Sequence, residues 1–179
     1  MFSSMRRLLL LRHAKSDWSE PGQRDRDRAL APRGQRAAPK IGAYMVRHRL
    51  TPDRVLCSTA KRTRETWDLI AAKFADPPLV TFEEQLYDAK PNDILAIIAA
   101  ATPTHHTMLV IGHNPSLQAA ASLLIAAGDI EARERLKEKL PTAGLAVIDF
   151  PFNDWSQLHP KSGRLDRFVT PRMLAAATD

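Results

Sequence analysis

The sequence predicts an α/β fold in three layers, a mostly parallel central sheet flanked by helices. Three observations carry that expectation. Short unbroken apolar runs, Leu8 to Leu11 and Thr107 to Ile111, have the character of strands buried on both faces. Between them lie segments whose apolar residues recur every three or four positions, as on helices with one buried stripe. The two kinds of segment alternate almost throughout. With 179 residues, 44% of them hydrophobic, the chain can fill one core but hardly two, so residues 1–179 are expected to form a single domain.

In chain order, Arg7 to Arg12 reads as the first strand, ending where polar and charged residues begin. A long loop follows through Ser16, Trp18 and Pro21-Gly22 to Arg24-Asp25-Arg26-Asp27-Arg28, whose alternating charges read as a solvated, self-paired surface. A helix is expected from Pro32, with Ile41, Tyr44, Met45 and His48 on one face. Val55 to Cys57 is a second strand, and Trp67, Ile70, Ala71 and Phe74 mark the stripe of a second helix. Leu79 to Phe82 suits a third strand, followed by a helix from about Asn92 to Ala101. After the Thr107 to Ile111 strand, Pro115 stands where a first helical turn tolerates it, and that helix is expected to run toward Ala127. Asp129 to Lys139 reads as a charged helix, Leu145 to Phe150 as a strand, and Arg164 to Val169 as its edge partner.

Composition narrows the classes of function. A lone cysteine, Cys57, allows no internal disulfide and fits a reducing compartment. Leu8 to Leu11 is too short for a signal-peptide core and Arg12 interrupts it, so no export signal or membrane span is expected and the cytoplasm is the expected location. The net charge of +6 is uneven: residues 1–90 carry 18 Lys and Arg against 11 Asp and Glu, residues 91–179 carry 8 against 9. Such a field attracts phosphorylated small molecules, phosphoproteins or nucleic acid. Nucleic acid is disfavoured, because aromatics total only 6% and no helix interleaves basic with stacking residues.

In open α/β sheets, function gathers at the carboxyl ends of the strands. Three groups fall there: Arg12-His13-Ala14 after the first strand, Cys57-Ser58-Thr59 with Arg62 after the second, and Gly112-His113-Asn114-Pro115 after the Thr107 to Ile111 strand. Taken singly, each has a plainer explanation. Arg12 could end a strand in water, Arg62 could belong to a solvated helix face, and Asn114 could cap a helix. Together, two histidines and two arginines at one sheet edge supply the fixed positive charge that phosphoryl transfer requires.

These residues resemble the signature of the histidine phosphatase superfamily. Leu8-Leu9-Leu10-Leu11-Arg12-His13-Ala14 matches its opening motif, Ser58, Arg62 and Thr66 its second element, and Gly112-His113-Asn114 its third. Within that superfamily the chain is similar to the small phosphohistidine phosphatases of the SixA type. The cues are Arg12-His13-Ala14-Lys15-Ser16, Asp27-Arg28-Ala29-Leu30 leading to Pro32-Arg33-Gly34, and Pro141-Thr142-Ala143-Gly144. The resemblance implies a phosphoglycerate-mutase-like fold and a metal-independent phosphatase without cofactor. It implies His13 as nucleophile, forming a phosphohistidine intermediate, with Arg12, Arg62 and His113 holding the phosphoryl oxygens. The implied partner is a phosphorylated substrate, foremost phosphohistidine in proteins.

Members that cleave esters present a carboxylate after the third strand as general acid. Glu83, Glu84 and Asp88 lie there, with Glu84 the candidate. A protonated imidazole leaves phosphorus more easily than an alkoxide, so a phosphohistidine substrate fits a weak or absent acid. Contacts to the rest of a substrate are expected from Lys15, Trp18, Arg26 and Arg28, in the loop after His13.

Other readings fare less well. Cys57 and Arg62 stand as Cys-x4-Arg in a loop without glycine, unlike the Cys-x5-Arg loop of cysteine-dependent phosphatases. His13, His105, His106 and His113 with Asp25 and Asp27 match no metal-ligand spacing, so no metal is expected. A small-ester phosphatase and a non-catalytic basic module that binds phosphoproteins or nucleic acid are the remaining alternatives.

Overall fold

The computed structural model describes residues 5–177, so residues 1–4 of the stretch read for an export signal lie outside the described residues. Strands β1 (Arg6–Arg12), β2 (Arg54–Ser58), β3 (Val80–Glu83), β4 (Thr107–Gly112), β5 (Ile125–Gly128), β6 (Leu145–Phe150) and β7 (Gly163–Val169) form one sheet. Helices α1 (Pro32–Arg47), α2 (Lys61–Ala71), α3 (Pro91–Ala99), α4 (Ser116–Leu124), α5 (Ile130–Glu138) and α6 (Pro171–Ala176) cover it. The strand order is β3-β2-β4-β1-β6-β7-β5. Pairings of β1 with β4, β2 with β4 and β3, and β5 with β7 are parallel. Those of β6 with β1 and with β7 are antiparallel.

The unbroken leucine run follows from β1's central position, where successive side chains enter opposite layers. Leu8 and Leu10 pack in a core with residues of α3, α4 and α5, whereas Leu9 and Leu11 pack with α1 and α2. Leu8 through Leu11 are all fully buried. Seven-residue β1 is thus the seam of the sheet, with parallel β4 on one side and antiparallel β6 on the other.

Three details differ from expectation. The helix after Pro115 stops at Leu124, because Ile125 and the residues after it pair with β7 as a strand. That pairing places β5 outside β7, so β7 is not an edge strand. The chain then folds into α6 after Pro171, where Thr170 caps the helix by accepting the Met173 N–H.

Candidate active site

The carboxyl ends of β1, β2 and β4 open onto a common edge, and His13 is pinned there from three sides. Its N–H donates to the Gly112 carbonyl of β4 at 3.1 Å, and the next N–H, of Ala14, donates to Thr66 Oγ1 of α2 at 3.0 Å. From the β6 side, the Ala143 N–H reaches the carbonyls of Arg12 and His13, each at 3.0 Å. Ala143 adopts a left-handed φ of 58° to make this turn. The His13 ring lies 2.7 Å, through Nδ1, from the Ala14 carbonyl. A carbonyl can only accept, so Nδ1 carries the proton and Nε2 keeps a free lone pair. Burial pushes the imidazole down to about 4, with Arg62 and Arg12 adding to the shift and the Ala14 bond and Asp25 opposing it. His13 is therefore neutral at physiological pH.

His113, directly after β4, has its ring centroid 5.3 Å from that of His13. Arg62 Nη2 lies 3.3 Å from His113 Nδ1, and His113 Nε2 lies 2.7 Å from Ser58 Oγ. Because a guanidinium only donates, Nδ1 accepts and Nε2–H donates to the serine. Burial, then the neighbouring His13 and Arg62, lower the His113 imidazole to about 3. Arg62 sits in the first turn of α2 and is buried. Thr66, one turn on, donates to the Arg62 carbonyl at 2.7 Å, which couples the arginine's backbone to the His13 loop.

Arg12 donates through Nη1 to the Leu140 carbonyl at 3.1 Å, while its Nε is buried without a partner. Burial and the nearby Arg62 lower the Arg12 guanidinium from its ordinary value, the expected effect of two cations sharing one site. With Arg62 beside it, Arg12 gives this edge the concentrated positive charge that draws an anion. His13, Arg12, Arg62 and His113 are brought together as the sequence suggested. Among the described residues, no group of three or more His, Cys, Asp or Glu is arranged to hold a metal ion. Cys57 is buried in the core, and burial pushes its thiol up to about 12.

The charged string at 24–28 is not the self-paired surface expected of it. Within it only Arg24 and Asp27 pair, at 3.9 Å. Asp25 to Asp27 form a 3₁₀ turn, which points successive side chains in different directions and sends them to separate partners. Asp25 Oδ2 accepts from Arg62 Nη2 at 3.0 Å and from the Tyr87 hydroxyl at 2.7 Å, and the Asp25 carbonyl accepts from Arg62 Nη1 at 2.7 Å. Although burial opposes it, the hydrogen bonds from Tyr87 and Arg62 hold the Asp25 carboxyl below its ordinary range. Tyr87 also meets the His113 ring edge-on at 5.6 Å. Neither Asp25 nor Tyr87 stood out as a site residue in the sequence. A charge string gives no sign of a partner 37 positions away.

The remaining candidates divide. Arg26 forks onto both carboxylate oxygens of Glu84 and donates to Thr59 Oγ1 at 2.6 Å. These bonds from Arg26 and Thr59 hold Glu84 down to about 2, which keeps it ionised and gives the acid role no support in this state. Arg28 turns inward: it is buried, donates to the carbonyls of Glu20 and Gln23, and lies 4.0 Å from the centre of the Trp18 ring. It shapes the loop rather than facing a ligand. Lys15 and Trp18 are exposed and open to one.

A family model described as the histidine phosphatase superfamily (branch 1) matches residues 8–93. The solved structure of a candidate phosphohistidine phosphatase SixA from Agrobacterium tumefaciens shares 32% identity, with a TM-score of 0.79 over 93% of this chain and 98% of that one. The chain belongs to the histidine phosphatase superfamily. A second candidate SixA structure, from Nakamurella multipartitia, superposes on this histidine phosphatase with a TM-score of 0.80 at 31% identity, over 93% and 96% of the two chains. An uncharacterised protein of Mycobacterium tuberculosis is 38% identical over 164 residues, 90% of this histidine phosphatase and 100% of the relative. The layered sheet is the phosphoglycerate-mutase-like one that the resemblance implied. Among the described residues, no helix is long and apolar enough to cross a membrane.

Proposed function

We propose that this histidine phosphatase works through a phosphohistidine on His13, without a metal ion, and acts foremost on phosphohistidine in proteins. One observation carries the mechanism: Nδ1 of His13 is committed to the Ala14 carbonyl, which leaves Nε2 as a neutral, oriented nucleophile. Its lone pair forms the new bond to phosphorus, and the bond to the leaving group breaks with its electron pair departing on that group. Water then attacks the phosphorus, and the P–Nε2 bond breaks with its electron pair returning to Nε2, so that phosphate leaves carrying the protons of the water and His13 is again neutral. Arg12, Arg62 and His113 stabilise the charge on the non-bridging oxygens. A bound phosphoryl dianion reverses the repulsive surroundings of His113 and favours its protonation, which makes the ring a further donor.

The substrate preference is supported by the state of the carboxylates. Glu84 and Asp25 both have their carboxyls held below the ordinary range by hydrogen-bonded partners, so neither is poised to protonate an alkoxide. An imidazole leaving group, protonated on its second nitrogen, needs no such acid. The likeness to candidate SixA phosphatases at 31–32% identity points the same way.

The test is release of phosphate from a phosphohistidine peptide and from p-nitrophenyl phosphate, with EDTA, by wild type and His13→Ala. The expected result is chelator-resistant turnover that prefers the peptide and falls by roughly a thousandfold or more in the variant. Dominant ester turnover would replace the substrate assignment with a small phosphoester and require a working acid. Loss of both activities, with phosphate binding intact, would favour a binding module.

A further inference from the structure

Three of the five N–H donors of Arg62 are already engaged. Its Nη2 carries two hydrogens, and both are used: one by the Asp25 carboxylate at 3.0 Å, the other by His113 Nδ1 at 3.3 Å. One Nη1 hydrogen goes to the Asp25 carbonyl at 2.7 Å. An incoming phosphoryl group can therefore reach the Nη2 hydrogens of Arg62 only in competition with a carboxylate of the same charge sign. We infer that Asp25 is an internal competitor for the phosphate cradle, a residue that sets how weakly the site holds free phosphate. The inference rests on reading Arg12, His13, Arg62 and His113 as a phosphoryl site.

Three features support it. Asp25 is engaged as an anion would be, by a guanidinium and by the Tyr87 hydroxyl. Tyr87 is pushed up to about 12, first by burial and then by its bond to Asp25, so it keeps its proton and goes on donating when Arg62 lets go. Asp25 can withdraw, because its turn, Asp25–Asp27, contains no buried residue. The neighbouring clamp from Arg26 to Glu84 and Thr59 meanwhile keeps the turn at the mouth of the site. A cradle built from two arginines, Arg62 buried and Arg12 half-buried, would otherwise retain the dianion it produces. If the open state is the minor one, apparent affinity for phosphate falls by the open fraction.

The experiment is an NMR titration of the full chain with inorganic phosphate at constant ionic strength and pH 7.5, comparing wild type with Asp25→Asn, Asp25→Ala, Arg62→Ala and Asp27→Asn. Removing one like charge at this range is expected to tighten phosphate binding roughly tenfold in both Asp25 variants. Asp27→Asn, on the same turn but exposed and paired with Arg24, should match wild type. Two Asp25 variants are used so that a folding defect in one does not decide the matter. If wild type binds phosphate through Arg62 and neither Asp25 variant binds more tightly, Asp25 merely positions Arg62 and the inference fails. If neither wild type nor the Asp25 variants bind phosphate, the phosphoryl-site reading fails with it.

Discussion

For His13, enclosure and positive neighbours act in the same direction: both disfavour a proton on the ring, and the Ala14 carbonyl decides which nitrogen is left bare. A neutral nucleophile with an imidazole near 4 stays competent well below the ordinary histidine range. Because activity needs the deprotonated ring, kcat/KM should stay level from pH 7 down to about 5 and fall only as the pH approaches about 4. The measurement is a pH profile of kcat/KM for phosphohistidine peptide turnover, corrected for the substrate's own ionisation. A break near pH 6.5 would mean that the ring is not shielded as described. Ser58 and Thr66 belong to the same scale: one orients His113 and the other joins the His13 loop to α2.

Among the elements, the contact between the His13 loop and the start of α1 leaves least room. A Cβ at Gly34 would stand 2.2 Å from the Lys15 carbonyl oxygen and 2.8 Å from its nitrogen, both backbone atoms. Gly34→Ala should therefore cost about 2–4 kcal/mol in urea denaturation and lower kcat by displacing the residues beside His13. Gly22→Ala, with nothing within 4 Å, should do neither. The elements legible from sequence were those whose state is written locally. β1, β4 and β6 are apolar runs covered on both faces, and the stripes of α1 and α2 have helical spacing. Ile125 to Gly128 carries no such period and becomes a strand only because β7 offers a partner. The cradle was legible for a related reason: Arg12, His13 and His113 sit at strand ends, where a run length fixes their position. The partners of Asp25, Arg26 and Arg28 depend on where a loop lands, which no local pattern encodes.

For the whole molecule, two neutral histidines, His13 buried and His113 half-buried, make stability depend on pH. The unfolded chain binds protons on His13 and His113 below about 6.5, whereas the folded chain resists them down to about 4 and about 3. Between those limits the unfolded state holds more protons, so stability is fully present above about 6.5 and is lost as the pH falls toward the folded values. The melting temperature should decline from pH 7 to pH 4, and the decline should be shallower in His13→Asn. Calorimetric scans of both proteins across that range check the sign, and equal slopes would contradict it. The seam at β1 has a consequence of another kind. Among the described residues beyond 128, the hydrogen bonds made to Arg12, His13 and Asn114 all come from main-chain atoms: the Leu140 carbonyl, the Ala143 N–H and the Gly144 carbonyl. Side chains of that last segment thus make no hydrogen bond to these three residues. They can drift under selection for solubility or for new partners while the chemistry stays in place, so lineages of this fold can diversify in what they meet without changing what they do.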